Sequence, residues 1–144
     1  MMSKEKVCDL LAKTNLVLFR ELSNRYRGKD INITPVQAKV LMTIRDNDKC
    51  NQKDVEKVIC CNKSTLSSIL DTMEKNGLIK RVEDSNDYRK KILQLTEGAI
   101  NDITCIEKEL DYLELQMRNI LREKYDLFCD CLNRIYSDLK EENK

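Results

Sequence analysis

"CNQKDVEKVICCNKSTLSSILDTMEKNGLI", residues 50–79, holds two helix starts separated by a tight turn. Asn51, with Asp54 three positions on, can cap a short helix carrying Val55, Val58 and Ile59, and Asn62 can cap the next one. In that second helix Leu66, Ile69, Leu70 and Met73 stand at i, i+3, i+4 and i+7, a narrow apolar stripe. At about 100° per residue the opposite face holds Ser64, Ser68, Asp71 and Lys75, flanked by Thr65, Ser67 and Thr72. Asn76-Gly77 closes the helix, because glycine accepts the left-handed conformation of a C-terminal cap. A short helix, a turn and a polar-faced helix form the helix-turn-helix pattern, whose second member lies in a major groove. Serine and threonine hydroxyls suit that place, since they are small and both donate and accept. The turn around Asn62–Thr65 also offers unpaired N–H groups to phosphate. Asp71 works against it, because a carboxylate near a DNA backbone is repelled, unless it accepts from a cytosine amino group.

Just downstream, "RVEDSNDYRKKILQLT" (81–96) is a hairpin whose tip is almost wholly charged. Leu78–Val82 and Ile92–Leu95 read as its two strands. A hairpin ordinarily holds itself down by burying a face. This one has little to bury, and Arg81, Arg89, Lys90 and Lys91 suit phosphates, or a narrow minor groove whose negative potential attracts arginine. Asp84, Ser85, Asn86 and Asp87 are turn-formers.

Upstream, Thr34-Pro35 with Gln37 makes a capping box, and Val36, Val40, Leu41 and Ile44 line one face of the helix it opens. Before that, apolar residues from Val7 to Tyr26 predict a helix over roughly 4–27, with Leu16 and Phe19 on a second face that calls for another neighbour. Thr96 caps a long helix to about Leu121, and a last helix spans about 123–141.

At 144 residues, with 35% charged and 5% aromatic side chains, three Gly and one Pro, the chain fits one helix-rich domain. Residues 1–96 carry 19 basic and 13 acidic side chains (+6), and residues 97–144 carry 7 and 12 (−5). That asymmetry points weakly to a polyanion held on one side. The chain has no histidine, no glycine-rich phosphate loop and no carboxylate pair at an apolar site, so enzyme, metal and cofactor roles have no residues to carry them. No apolar run reaches the ~18–20 residues that span a bilayer, and the N-terminus lacks a secretory pattern, so a cytoplasmic protein is expected. The seven cysteines then read as thiols.

Four stretches carry a family resemblance: Ile33-Thr34-Pro35-Val36-Gln37; Met73-Glu74-Lys75-Asn76-Gly77-Leu78-Ile79-Lys80-Arg81; Asp84-Ser85-Asn86-Asp87-Tyr88-Arg89-Lys90, in the place of a D-x-x-D-R-R wing; and Leu95-Thr96-x-Gly98. In that order and spacing the chain resembles the MarR family of winged helix-turn-helix regulators over essentially its whole length. Tyr88 stands where the wing usually has its first arginine, which leaves minor-groove insertion to Arg89.

The resemblance implies a mainly α winged helix-turn-helix, about six helices plus a small antiparallel hairpin wing. One domain, 1–144, would comprise a DNA-binding core at 33–96 and dimerisation helices at 1–32 and 97–144. It implies a homodimer on a pseudo-palindromic operator, most often as a repressor released by a small anionic or phenolic ligand or by thiol oxidation. The expected DNA contacts are Lys63, Ser64, Thr65, Ser67, Ser68 and Thr72 on the helix, and Arg81, Arg89, Lys90 and Lys91 on the hairpin. Cys8, Cys60 and Cys61 are the candidate redox sensors; Cys60 and Cys61 adjoin the recognition helix, where oxidation would disturb docking. The competing reading is a winged helix that contacts an acidic protein and no DNA.

Overall fold

In the computed structural model the chain runs α1 (Val7–Gly28), α2 (Pro35–Asp46), α3 (Gln52–Ile59), α4 (Lys63–Lys75), β1 (Ile79–Glu83), β2 (Lys91–Leu95), α5 (Glu97–Leu121), a 3-10 turn (Arg122–Lys124) and α6 (Tyr125–Glu142). The structure describes residues 4–142, so residues 1–3 and 143–144 of the expected dimerisation segments lie outside it.

The helix starts follow from side-chain chemistry. Thr34 and Gln37 form the reciprocal capping box of α2, and Asn51 and Asp54 form that of α3. The Thr65 N–H donates to the Asn62 side chain at 2.7 Å to open α4. Each such cap stabilises its helix by roughly 0.5–2 kcal/mol. α1 opens at Val7, its first apolar residue, instead of near residue 4, and Lys6 before it supplies no side-chain cap. α4 ends in a paired closure: the Leu78 N–H reaches the Met73 carbonyl and the Gly77 N–H the Glu74 carbonyl, with Gly77 at φ 75°. A Cβ at Gly77 would meet open space, so backbone conformation alone favours glycine there. Arg122, at φ 52°, breaks the run between α5 and α6, so the last helix begins at Tyr125.

Two compact units divide the chain, Met1–Glu109 and Leu110–Lys144. The division falls inside α5. The first part of α5 folds with the winged core because Ala99, Ile103 and Ile106 are buried and Glu109, itself buried, accepts from Arg25 of α1 at 2.7 Å.

In the first unit the core is built by Val40 and Leu41 of α2, Val55 of α3, Leu66, Leu70 and Met73 of α4, and Ile79 and Leu93 at the hairpin base. Full burial of each such side chain stabilises by about 1.5–3 kcal/mol. β1 and β2 pair antiparallel from Ile79↔Leu95 to Glu83↔Lys91. The Leu93 N–H also donates to the Cys50 carbonyl at 2.8 Å, which ties the hairpin to the segment before α3. Thr96 completes the corner, donating to the Gly77 carbonyl at 2.7 Å while accepting from the Ala99 N–H. Several large apolar side chains of α1 stay exposed, among them Val7, Leu16, Val17 and Phe19.

In the second unit the Tyr125 hydroxyl donates to Glu114, and the Arg118 guanidinium lies 4.1 Å from the Tyr125 ring. No described side chain of α6 is fully buried. Leu115 and Ile120 of α5 and Leu127, Phe128 and Ile135 of α6 are exposed.

Candidate nucleic-acid interface

α4 is anchored by Leu66, Leu70 and Met73, which fixes what its other side presents. Lys63, Ser64, Thr65, Ser68, Asp71 and Thr72 are exposed there, as the helical period requires. Ser67 is half-buried and accepts from the Gln52 side-chain amide at 2.8 Å. That bond stitches the first turn of α3 to α4, so Ser67 also holds the two helices in register. The Thr72 hydroxyl donates to the Ser68 carbonyl of its own helix, which leaves its oxygen available as an acceptor.

The wing tip is held by its own aspartates. The Asp84 carboxylate accepts from the Asn86 N–H at 2.9 Å, and the Asp87 carboxylate from the Arg89 N–H at 3.1 Å. Backbone bonds Asp84 N–H to Lys90 carbonyl and Lys90 N–H to Asp87 carbonyl close the loop. These Asx turns make a firm tip without an apolar core. Arg89 and Lys90 are exposed on it. Lys91 is exposed as well, with Glu83 across the strands at 3.4 Å.

Arg81 is placed differently from Arg89. Its guanidinium sits 2.9 Å from Asp71 and 3.1 Å from Glu74, its backbone N–H donates to Glu74, and its side chain is only 22% exposed. The charge expected for phosphate therefore already has two carboxylate partners on α4. Asp71 and Glu74 lie three apart on the helix, on the side that faces β1. The same contact answers the objection raised by Asp71, whose charge is offset by Arg81.

Between α3, the start of α4 and the wing lies an open cleft of about 560 Å³, lined by Asn51, Gln52, Lys53, Glu56, Lys63, Arg89, Lys90 and Lys91. Five cations face one carboxylate. Lys53 and Gln52 were not among the sequence candidates. The hint was present in the sequence, because a capped helix start followed by lysine is an anion-binding pattern, but only the fold brings it beside the wing. Arg81 does not line the cleft, and neither do Ser64, Thr65, Ser68 and Thr72, which lie on α4 beyond Lys63.

The seven cysteines, all among the described residues, form no disulfide. Cys8 and Cys60 are exposed and Cys61 is half-buried. Cys60 closes α3 in the left-handed region (φ 57°, ψ 39°), unusual for a residue with a Cβ. Cys50 is the opposite case: burial, and secondarily Asp54, pushes its thiol up to about 11. No group of three His, Cys, Asp or Glu among the described residues could hold a metal ion, and no helix among them is long and apolar enough to cross a membrane.

The chain is similar to known regulators in sequence and in fold. The MarR family profile matches residues 33–91, the span from the start of α2 to the start of β2. The HTH-type transcriptional regulator FarR of Neisseria gonorrhoeae is 31% identical over 102 residues, covering 70% of either chain. This chain belongs to the MarR family. Among solved structures, the Staphylococcus aureus MepR–DNA complex is similar at TM-score 0.84 with 21% identity, covering 94% of this chain and 99% of that one. The transcriptional repressor CouR bound to p-coumaroyl-CoA is similar at TM-score 0.81 with 21% identity, covering 94% and 96%. For this MarR-family chain those likenesses establish the winged helix-turn-helix fold, with α3–α4 as the helix pair and β1–β2 as the wing.

Proposed function

We propose that this chain is a homodimeric, sequence-specific duplex-DNA binder that regulates transcription. Each protomer lays α4 in a major groove and its wing tip in the adjoining minor groove. Contiguity carries the reading: the cationic cleft reaches Lys63, where the hydroxyl-bearing face of α4 begins. One surface thus offers cations for phosphate and small polar groups for base edges. Lys53, Lys63, Lys90 and Lys91 take phosphates in this scheme. Ser64, Thr65, Ser68 and Thr72 read bases, Ser67 holds α3 to α4, and Arg81 braces the wing against α4. The exposed apolar residues of α1 and, separately, of the 110–142 segment serve dimerisation. The named regulators among its relatives support a binding, non-catalytic role in the cytoplasm.

Selection of duplexes from random DNA by the purified protein tests the reading. The expected product is an inverted repeat with half-sites about one helical turn, roughly 10–10.5 bp, apart. On that operator Arg89→Ala should cost about 1–3 kcal/mol per wing and relax preference at the A·T-rich flanks. An unchanged affinity would remove Arg89 from the interface.

In the proposed scheme the regulator is a repressor, released by a small organic ligand or by thiol oxidation. The exposed Cys60, in the turn that sets the α3–α4 angle, favours the thiol route. Mild peroxide should abolish operator binding and dithiothreitol restore it. Cys60→Ser, Cys61→Ser or Cys8→Ser should confer resistance at whichever position is the sensor, while Cys50 stays unmodified because its thiol is buried. Full binding after peroxide would end the thiol route.

A further inference from the structure

The wing tip holds one side chain that charge does not explain. Tyr88 is the single aromatic residue between Glu83 and Lys91, and its neighbours there are all charged or polar. It is 72% exposed, although a tyrosine ring ordinarily finds apolar cover. The other strongly exposed large apolar residues lie almost wholly on helices, on faces suited to another helix, whereas Tyr88 stands on a hairpin with no apolar neighbour. Its position is not loose. The Asp87 carboxylate bonds the Arg89 N–H, bracketing Tyr88 in an Asx turn, and the Arg89 guanidinium lies 5.9 Å from the ring centroid. The Arg89 cation and the Tyr88 ring are therefore neighbours on the tip.

We propose that Tyr88 is itself a DNA-contacting residue, laying its ring against the deoxyribose wall of the minor groove that Arg89 enters. The inference rests on the DNA-binding reading above. A minor groove has apolar sugar walls and, at A·T pairs, only acceptors on its floor. A ring flat on the wall loses exposed apolar surface, and its hydroxyl is free to donate to an acceptor or a phosphate. An arginine at this position would add a phosphate contact, whereas tyrosine adds contact area without charge. The affinity it supplies should therefore be independent of salt.

Operator binding by wild type, Tyr88→Ala, Tyr88→Phe and Lys90→Ala at several salt concentrations tests this. Tyr88→Ala should weaken binding about ten- to a hundredfold at every salt concentration, leaving the slope of log affinity against log salt unchanged. Lys90→Ala should instead flatten that slope by about 1. Tyr88→Phe should lose less than about threefold, because the ring area is retained. With no tryptophan and five tyrosines in the chain, tyrosine emission reads the contact directly. Emission should fall when operator is added to wild type, and the fall should shrink in Tyr88→Phe. Thermal midpoints should match, since the side chain supports nothing in the fold. Wild-type affinity in Tyr88→Ala, or a loss that vanishes at high salt, would overturn the inference and leave DNA binding intact. A wild-type protein that binds no duplex would overturn both.

Discussion

Raising salt from about 50 to about 200 mM is expected to weaken operator binding roughly 10³- to 10⁴-fold. The cleft supplies Lys53, Lys63, Arg89, Lys90 and Lys91 in each protomer. Lys91 already has Glu83 at 3.4 Å and Glu56 stands in the cleft, so about three to four of these charges per protomer are left to displace counterions. Two protomers then neutralise about six to eight phosphates, and each contributes about −0.9 to the slope. Gel shifts or anisotropy at five or six salt concentrations give that slope. A flat response would favour an acidic-protein partner over DNA, because no condensed counterion atmosphere would be released. Within the same series Arg81→Ala should leave the slope unchanged, since Asp71 and Glu74 already hold its guanidinium.

Ile135→Asp is expected to give monomers at micromolar concentration and to weaken operator binding about 10²- to 10⁴-fold. Phe128, Leu132, Ile135 and Leu139 recur at i, i+4, i+7 and i+11 along α6, and no described side chain of that helix is fully buried within the protomer. A carboxylate placed in a contact formed by that stripe would be desolvated without a partner. The loss at the operator follows from geometry. In the proposed dimer, binding of one recognition helix presents the second to its own half-site at a millimolar effective concentration, and separate protomers lose that advantage. Analytical ultracentrifugation reads the first effect and operator affinity the second. A dimer that persists in Ile135→Asp would place the interface elsewhere, and thermal unfolding of the variant shows whether the protomer itself remains folded.

The helix-turn-helix was legible because its signals are short-range. Capping boxes at Thr34–Gln37 and Asn51–Asp54, the Asn62 cap and the Gly77 closure all act within a few residues, and each is present as the sequence implies. The hairpin was legible for the same reason, with β1 one residue later than expected and β2 starting one residue earlier and ending at Leu95 as expected. Arg81 was harder to read. Along the chain it is one more cation beside Arg89 and Lys90, and Asp71 looks like a fault in a DNA-facing helix. Folding brings the two within 2.9 Å and assigns each a partner.

The amino-acid sequence by itself determined where α2, α3 and α4 start, which face of α4 is apolar and which residues form the charged tip, because these depend on backbone caps and side-chain periods acting over a turn or two. Tertiary structure alone decided which charges meet. It set Lys53 beside the wing, joined Gln52 to Ser67, engaged Arg81 with α4 and paired Arg25 with Glu109 across 84 positions of sequence. Those contacts form only after the chain has closed its loops around the buried core, and no local pattern records which pair of distant side chains that closure brings together.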